Sequence, residues 1–111
     1  FDHYQADPDS EPKAIGGFTP LNKVYAFEPI PDELPDDLHG HILGAQGNVW
    51  TEYMPSSDHV EYMTFPRLCA LSEVLWSPGG THSWDDFLIR LRPHLRRLDR
   101  VGVNYSRHGL S

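Results

Sequence analysis

Trp50 and Glu52 stand two residues apart in the stretch GAQGNVWTEY, Gly44 to Tyr53. On a strand, residues two apart point to the same side. An indole face beside a carboxylate suits a sugar. The ring packs on the apolar C–H face of a pyranose, and the carboxylate accepts hydrogen bonds from its hydroxyls. The same spacing also suits a tryptophan filling a core next to a carboxylate that caps a helix or pairs with a cation, and spacing alone leaves both open. Asp32 and Glu33 are adjacent acids, but the prolines of PIPDELP put them in a connecting loop, where they read as a solvated turn. His39 and His41 lie two apart before the run. Two such ligands without a cysteine or a carboxylate cluster are a weak metal signal, so neither metal nor cofactor is expected. The single cysteine, Cys69, has no internal disulfide partner, and its apolar neighbours mark it as a small core residue.

The elements that must position these groups can be read along the chain. Residues 1–19 are rich in Asp, Pro and Gly, as in DPDSEP and IGG, and read as a long loop. Thr19 as N-cap and Pro20 at the first helical position predict a helix over 20–28, stopped by Pro29 and Pro31. The run 41–52, with Ile42, Leu43, Ala45 and Val49, predicts a buried strand of the parallel-sheet kind. A helix is predicted over 58–76, with Asp58 as N-cap, Glu61 three residues on, and Pro66 as a kink or a later start. Ser83 caps a last helix over 83–101 with a stripe of Trp84, Phe87, Leu88, Leu91, Leu95 and Leu98, interrupted at Pro93. Arg90, Arg92, Arg96, Arg97 and Arg100 on that helix read as a solvated face complementing the helix dipole. Residues 102–111 are a tail. One strand cannot make a sheet, so either the chain is missing strands or it belongs against a larger body.

Composition narrows the function classes. A formal net charge of −7 and a pI near 5.3 argue against a nucleic-acid surface, which needs clustered excess Lys and Arg. No run of about 18 or more apolar residues predicts a membrane span. The opening FDHYQADPD has neither an initiator methionine nor a basic-then-apolar pattern, and it reads as though entered midway through an element, so a fragment is expected.

The residues themselves carry a closer likeness. HILGAQGNVWTEYMPSSDHVEYMTFPRLCALSEVLWS resembles the end of the catalytic barrel in family 20 glycoside hydrolases, the β-N-acetylhexosaminidases, whose last barrel strand carries a Gln-x-Asn-x-Trp-Thr-Glu run. The matching positions are Gln46, Asn48, Trp50, Thr51 and Glu52, continuing through Glu61, Pro66, Arg67, Ala70, Ser72, Glu73 and Trp76. The likeness extends upstream through YQADPDSEPKAIGGFTPLNKVYAFEPIP and downstream through WDDFLIRLRPHLRRLDRVGVNY, covering essentially the whole chain.

The resemblance implies the C-terminal portion of a (β/α)8 TIM barrel, about the last one or two βα units plus a closing helix. Loop 1–19 would follow a barrel strand, and 41–52 would be the last strand. It implies that Trp50 walls the pocket of a terminal N-acetylhexosamine and that Glu52 bonds the outer hydroxyls of that sugar. Asp2 matches the acid of a Tyr-x-Asp motif that also touches the sugar. It further implies retaining catalysis in which the acetamido oxygen of the substrate is the nucleophile. The Asp-Glu pair that serves this chemistry lies upstream in the family, so no catalytic residue is expected in this chain, and the isolated chain is expected to be inactive. The implied partners are a glycan bearing N-acetylglucosamine or N-acetylgalactosamine, and either the rest of the barrel or a second copy covering exposed edges. The parent enzyme would be secreted, periplasmic or lysosomal. The rival expectation is a non-catalytic carbohydrate-binding or interaction module derived from the same barrel.

Overall fold

The computed structural model describes residues 1–111, and four α-helices carry its regular structure: α1 (Leu21–Tyr25), α2 (Ser57–Thr64), α3 (Arg67–Trp76) and α4 (Trp84–Val101). Short 3-10 turns occupy Pro8–Ser10 and Asp36–His41. The only β pairing is an isolated parallel bridge between Tyr4 and Phe18 inside the first loop.

The longest helix follows from its pattern. Ser83 Oγ accepts the Asp86 N–H, two aspartates sit in the first turn, and Phe87, Leu88, Leu91, Leu95 and Leu98 form the buried stripe. Gly102, at φ 78°, ends it in the left-handed conformation that glycine adopts without a Cβ penalty. Pro93 does not interrupt it; the helix runs unbroken to Val101, with Pro93 on the exposed side.

The helix expected over 58–76 is two helices, α2 and α3, divided at the cis Phe65–Pro66 bond. Its cap is Ser56, whose Oγ accepts from the His59 N–H at 3.2 Å, and not Asp58, which stands in the first turn. Glu61 turns away from that cap and accepts the Asn104 N–H, tying the tail to α2. The helix expected over 20–28 is shorter, Leu21–Tyr25, with Pro20 rather than Thr19 at its cap position. The Thr19 hydroxyl instead meets His3 Nδ1 at 2.9 Å.

The strand expected over 41–52 does not form. His41 belongs to the 3-10 turn, and the run from Leu43 to Trp50 carries no ladder. Its one backbone link to another segment runs from the Phe1 nitrogen to the Asn48 carbonyl. A strand forms only by ladder pairing with a neighbouring strand, and the hydrogen bonds that reach this run from elsewhere come from Phe1 and Asp2 alone. Its apolar side chains are accordingly open: Leu43 is 96% exposed and only Val49 is half-buried.

The main core joins α1, α3, α4 and the tail around Leu21, Val24, Ala70, Leu71, Val74 and Tyr105. Tyr25 stacks on Phe87 with centroids 4.4 Å apart and also touches Trp84. Its hydroxyl donates to Glu73 Oε1 at 3.0 Å, and the Arg90 guanidinium closes on the same carboxylate. Arg90 and Tyr25 together hold the Glu73 carboxyl below its ordinary value of 4.5. Cys69 is half-buried on α3, and burial pushes its thiol up to about 11.

One polar side chain ties the first loop to this body. Arg67 is fully buried at the start of α3. Its Nε donates to the Met63 carbonyl at 3.0 Å, and one terminal nitrogen donates to His3 O at 2.9 Å and Thr19 O at 3.0 Å. The other terminal nitrogen donates to Met63 O at 2.6 Å and to Phe1 O. All five guanidinium N–H groups are thus used, in the fixed fork that arginine alone offers. Burial pulls the group down to about 10, so it keeps its charge at neutral pH, with Glu11 and Asp2 supporting the cation.

Arg67→Met leaves four carbonyls without their donor, and at about 1–3 kcal/mol for each buried unpaired group the loss exceeds about 4 kcal/mol. Chemical denaturation is expected to show that loss, with Arg67→Lys recovering less than half of it because an ammonium cannot span the four sites. The Glu73 carboxylate, with its folded pKa depressed, contributes stability that is present above pH 4.5 and lost as pH falls through the lower folded value. Glu73→Gln therefore lowers the thermal midpoint at pH 7 by about 2–4 °C, and that difference shrinks in melts taken progressively below pH 4.5.

Candidate functional site

Arg67 fixes the carbonyls on either side of Asp2, and this decides where the Asp2 carboxylate goes. The side chain is 15% exposed, and its Oδ1 accepts the Trp50 N–H at 2.6 Å. The carboxylate thus spans 48 residues of sequence to carry the backbone of the tryptophan. The Trp50 ring remains 63% exposed, a flat apolar face held at its root by a charge-assisted bond.

Two adjoining cavities meet at this point, and Asp2, Ile15 and Trp50 line both. The larger, of about 510 Å³, opens between α1 and the irregular run, with Gln46, Asn48, His3 and Lys23 supplying its polar lining. That volume accommodates a monosaccharide. Gln46 Nε2 donates to Asn48 Oδ1 at 2.9 Å, fixing one wall. Another part of the wall is shaped by Gly47, where an added Cβ would lie 2.5 Å from Phe1 Cε2 and 3.2 Å from Leu71 Cδ2. The smaller cavity, of about 10 Å³, is bordered by Lys13, Glu52, Tyr53 and His59 besides the shared residues. The Lys13 ammonium stands 5.1 Å from the centre of the Tyr53 ring.

Of the three residues singled out in the sequence, Asp2 and Trp50 are in direct contact, and Glu52 lies in the adjoining small cavity with both. Glu52 itself is exposed. Asp32 and Glu33 are exposed in the loop after α1, away from both cavities. His39 Nε2 meets the Leu34 carbonyl at 2.9 Å, and no group of three or more His, Cys, Asp or Glu is arranged to hold a metal ion. No helix is long and apolar enough to cross a membrane. Lys13, Tyr53 and His59 were not evident in the sequence reading. The available signal was slight: a lysine in a proline-rich loop and a histidine three residues past a helix cap.

Comparison with known proteins gives consistent results. The family model described as glycosyl hydrolase family 20, catalytic domain, matches residues 1–79. A Porphyromonas gingivalis protein named Beta-hexosaminidase is 49% identical over 104 residues, covering 94% of this chain and 13% of its own length. An Akkermansia muciniphila Beta-hexosaminidase is 40% identical over 76 residues, covering 68% of this chain and 15% of its own. Among solved structures, a GH20 exo β-N-acetylglucosaminidase from Vibrio harveyi in complex with N-acetylglucosamine superposes with a TM-score of 0.69 at 38% identity. That match covers 79% of this chain and 14% of the other. The chain therefore spans about one seventh of the length of these relatives.

The Asp2–Trp50 bond has a direct readout. Asp2→Ala removes the only acceptor of the Trp50 amide, and its hydrogen exchange is expected to quicken about tenfold, whereas Asp2→Asn keeps an acceptor oxygen and most of the protection.

Proposed function

The chain belongs to glycosyl hydrolase family 20, and on that footing we propose that it is part of a β-N-acetylhexosaminidase. The parent removes terminal non-reducing N-acetylglucosamine or N-acetylgalactosamine from glycans. The relatives support a piece of a (β/α)8-barrel enzyme, although the ladder of its last strand is not formed in this chain. Trp50 offers its ring to the apolar face of the sugar, and Asp2 and Glu52 accept hydrogen bonds from its hydroxyls. The Asp2 oxygen left for this task is Oδ2, which lies 3.8 Å from the Phe1 amino group, since Oδ1 holds the Trp50 amide.

The observation that carries the reading is that 2.6 Å bond, which joins two residues singled out for sugar contact at the wall of a cavity of monosaccharide size. Hydrolysis with retention follows when the acetamido oxygen of the substrate attacks the anomeric carbon while an acid protonates the leaving oxygen. The acid and the carboxylate that orients the acetamido group come from outside these 111 residues, because Asp32 and Glu33, the one adjacent Asp-Glu pair, are remote from the cavities.

A second reading, a non-catalytic binding or interaction module, is favoured by one observation. Leu43 is 96% exposed and Trp76 92%, leaving apolar surface for another chain to cover. Assays on the purified chain separate the two. No hydrolysis of a chromogenic N-acetylglucosaminide is expected from the chain alone, and turnover by it would refute the assignment of the acid to another segment. N-acetylglucosamine is expected to bind weakly, with Trp50→Ala weakening it about tenfold by loss of the stacking face. Self-association in light scattering without any sugar binding would favour the second reading.

A further inference from the structure

His59 sits in the first turn of α2, its backbone N–H held by the Ser56 cap at 3.2 Å. Its ring nitrogen Nε2 is buried and meets no hydrogen-bond partner within the protein. Buried polar atoms are nearly always satisfied, so an orphan of this kind calls for a reason. The reason lies in the small cavity that His59 lines together with Asp2, Lys13, Trp50 and Glu52. Its volume, about 10 Å³, is that of one water molecule, and Asp2, Lys13 and Glu52 on its lining carry polar groups of the kind a held water bonds. Of the rest of the lining, Ala14, Met54 and Met63 form the satellite core beneath the loop, while Ile15 and Tyr53 stand exposed at the rim.

We propose that His59 is a positioning residue for Glu52, acting through a single water held in this cavity. Nε2 anchors the water, and the water donates to the Glu52 carboxylate, turning an exposed and rotatable side chain into an oriented acceptor. The Asp2 carboxylate borders the same cavity, so both acids assigned to the sugar hydroxyls share one fixed point. The proposal rests on the reading of Trp50, Glu52 and Asp2 as the sugar wall. Its chemical content is specificity: a hydroxyl is recognised by a carboxylate whose direction is set before binding, which reduces the ordering cost that binding otherwise carries.

Two measurements on the full chain test it. Without sugar, Glu52→Gln is expected to shift the His59 Nε2 resonance in long-range nitrogen–proton spectra, because the two groups share the water. With N-acetylglucosamine as the probe, His59→Phe fills the cavity and is expected to weaken binding about tenfold with the melting midpoint unchanged. His59→Gln, whose amide nitrogen reaches the place of Nε2, keeps binding within about threefold, and His59→Phe has no further effect on top of Glu52→Gln. Binding that is sensitive to Glu52→Gln but indifferent to His59→Phe overturns this proposal and leaves the sugar wall standing. Binding indifferent to both Glu52→Gln and Trp50→Ala overturns the sugar wall, and this proposal with it. Should the phenylalanine variant not fold, the spectral arm decides, and an unmoved Nε2 resonance counts against His59.

Discussion

A buried guanidinium with no carboxylate in direct contact is the constraint on which this structure depends. Arg67 places a charge inside the body and satisfies it with carbonyl oxygens from Phe1, His3, Thr19 and Met63. Desolvating a cation is costly, and the arrangement holds because every N–H finds an acceptor. The five donors reach three separate stretches of chain. The loop that opens the sequence, the approach to α1 and the end of α2 are thereby set against one another before any apolar contact is counted.

The candidate site inherits its geometry from that node. With the carbonyls of Phe1 and His3 pinned, the Asp2 side chain between them is aimed at the Trp50 amide, and the tryptophan ring is left on an open cavity wall. Loop residues 13–15 and the His59 imidazole then close the small cavity beside Glu52. Loops supply nearly all of these groups, while α1, α3 and α4 supply the core that carries them. That division is common in proteins whose function sits on connections over a packed frame.

Legibility in the sequence followed the range of the interaction. The stripe of α4, its Ser83 cap and its Gly102 terminus depend on contacts a few residues apart, and the residue types announce them. The cap of α2 was ambiguous because Ser56, Ser57 and Asp58 are all cap formers, and the alphabet does not rank them by position. The run Ile42 to Val49 has the pattern of a buried strand, but burial there depends on neighbouring strands that the sequence pattern presupposes and this chain does not supply. Trp50 and Glu52 were found by type and spacing, and Asp2 by likeness to a family motif. The bond from Asp2 to Trp50 and the carbonyl clamp of Arg67 join residues far apart in sequence, and the burial of the unpartnered His59 nitrogen depends on tertiary packing, so no local pattern records them.

Gly47 shows how far such a node extends. Hydrogen is the largest substituent its α-carbon accepts without pushing on the Phe1 ring, and the carbonyl of Phe1 is one of the four that Arg67 grips. A methyl group there would press on the anchored end of the loop, and the displacement would be handed on to the neighbouring aspartate. The contour of the sugar-sized hollow is thus written partly in bare backbone. Variation that preserves every polar group in view can still reshape that hollow, and a catalogue of its side chains alone would miss the position that governs it.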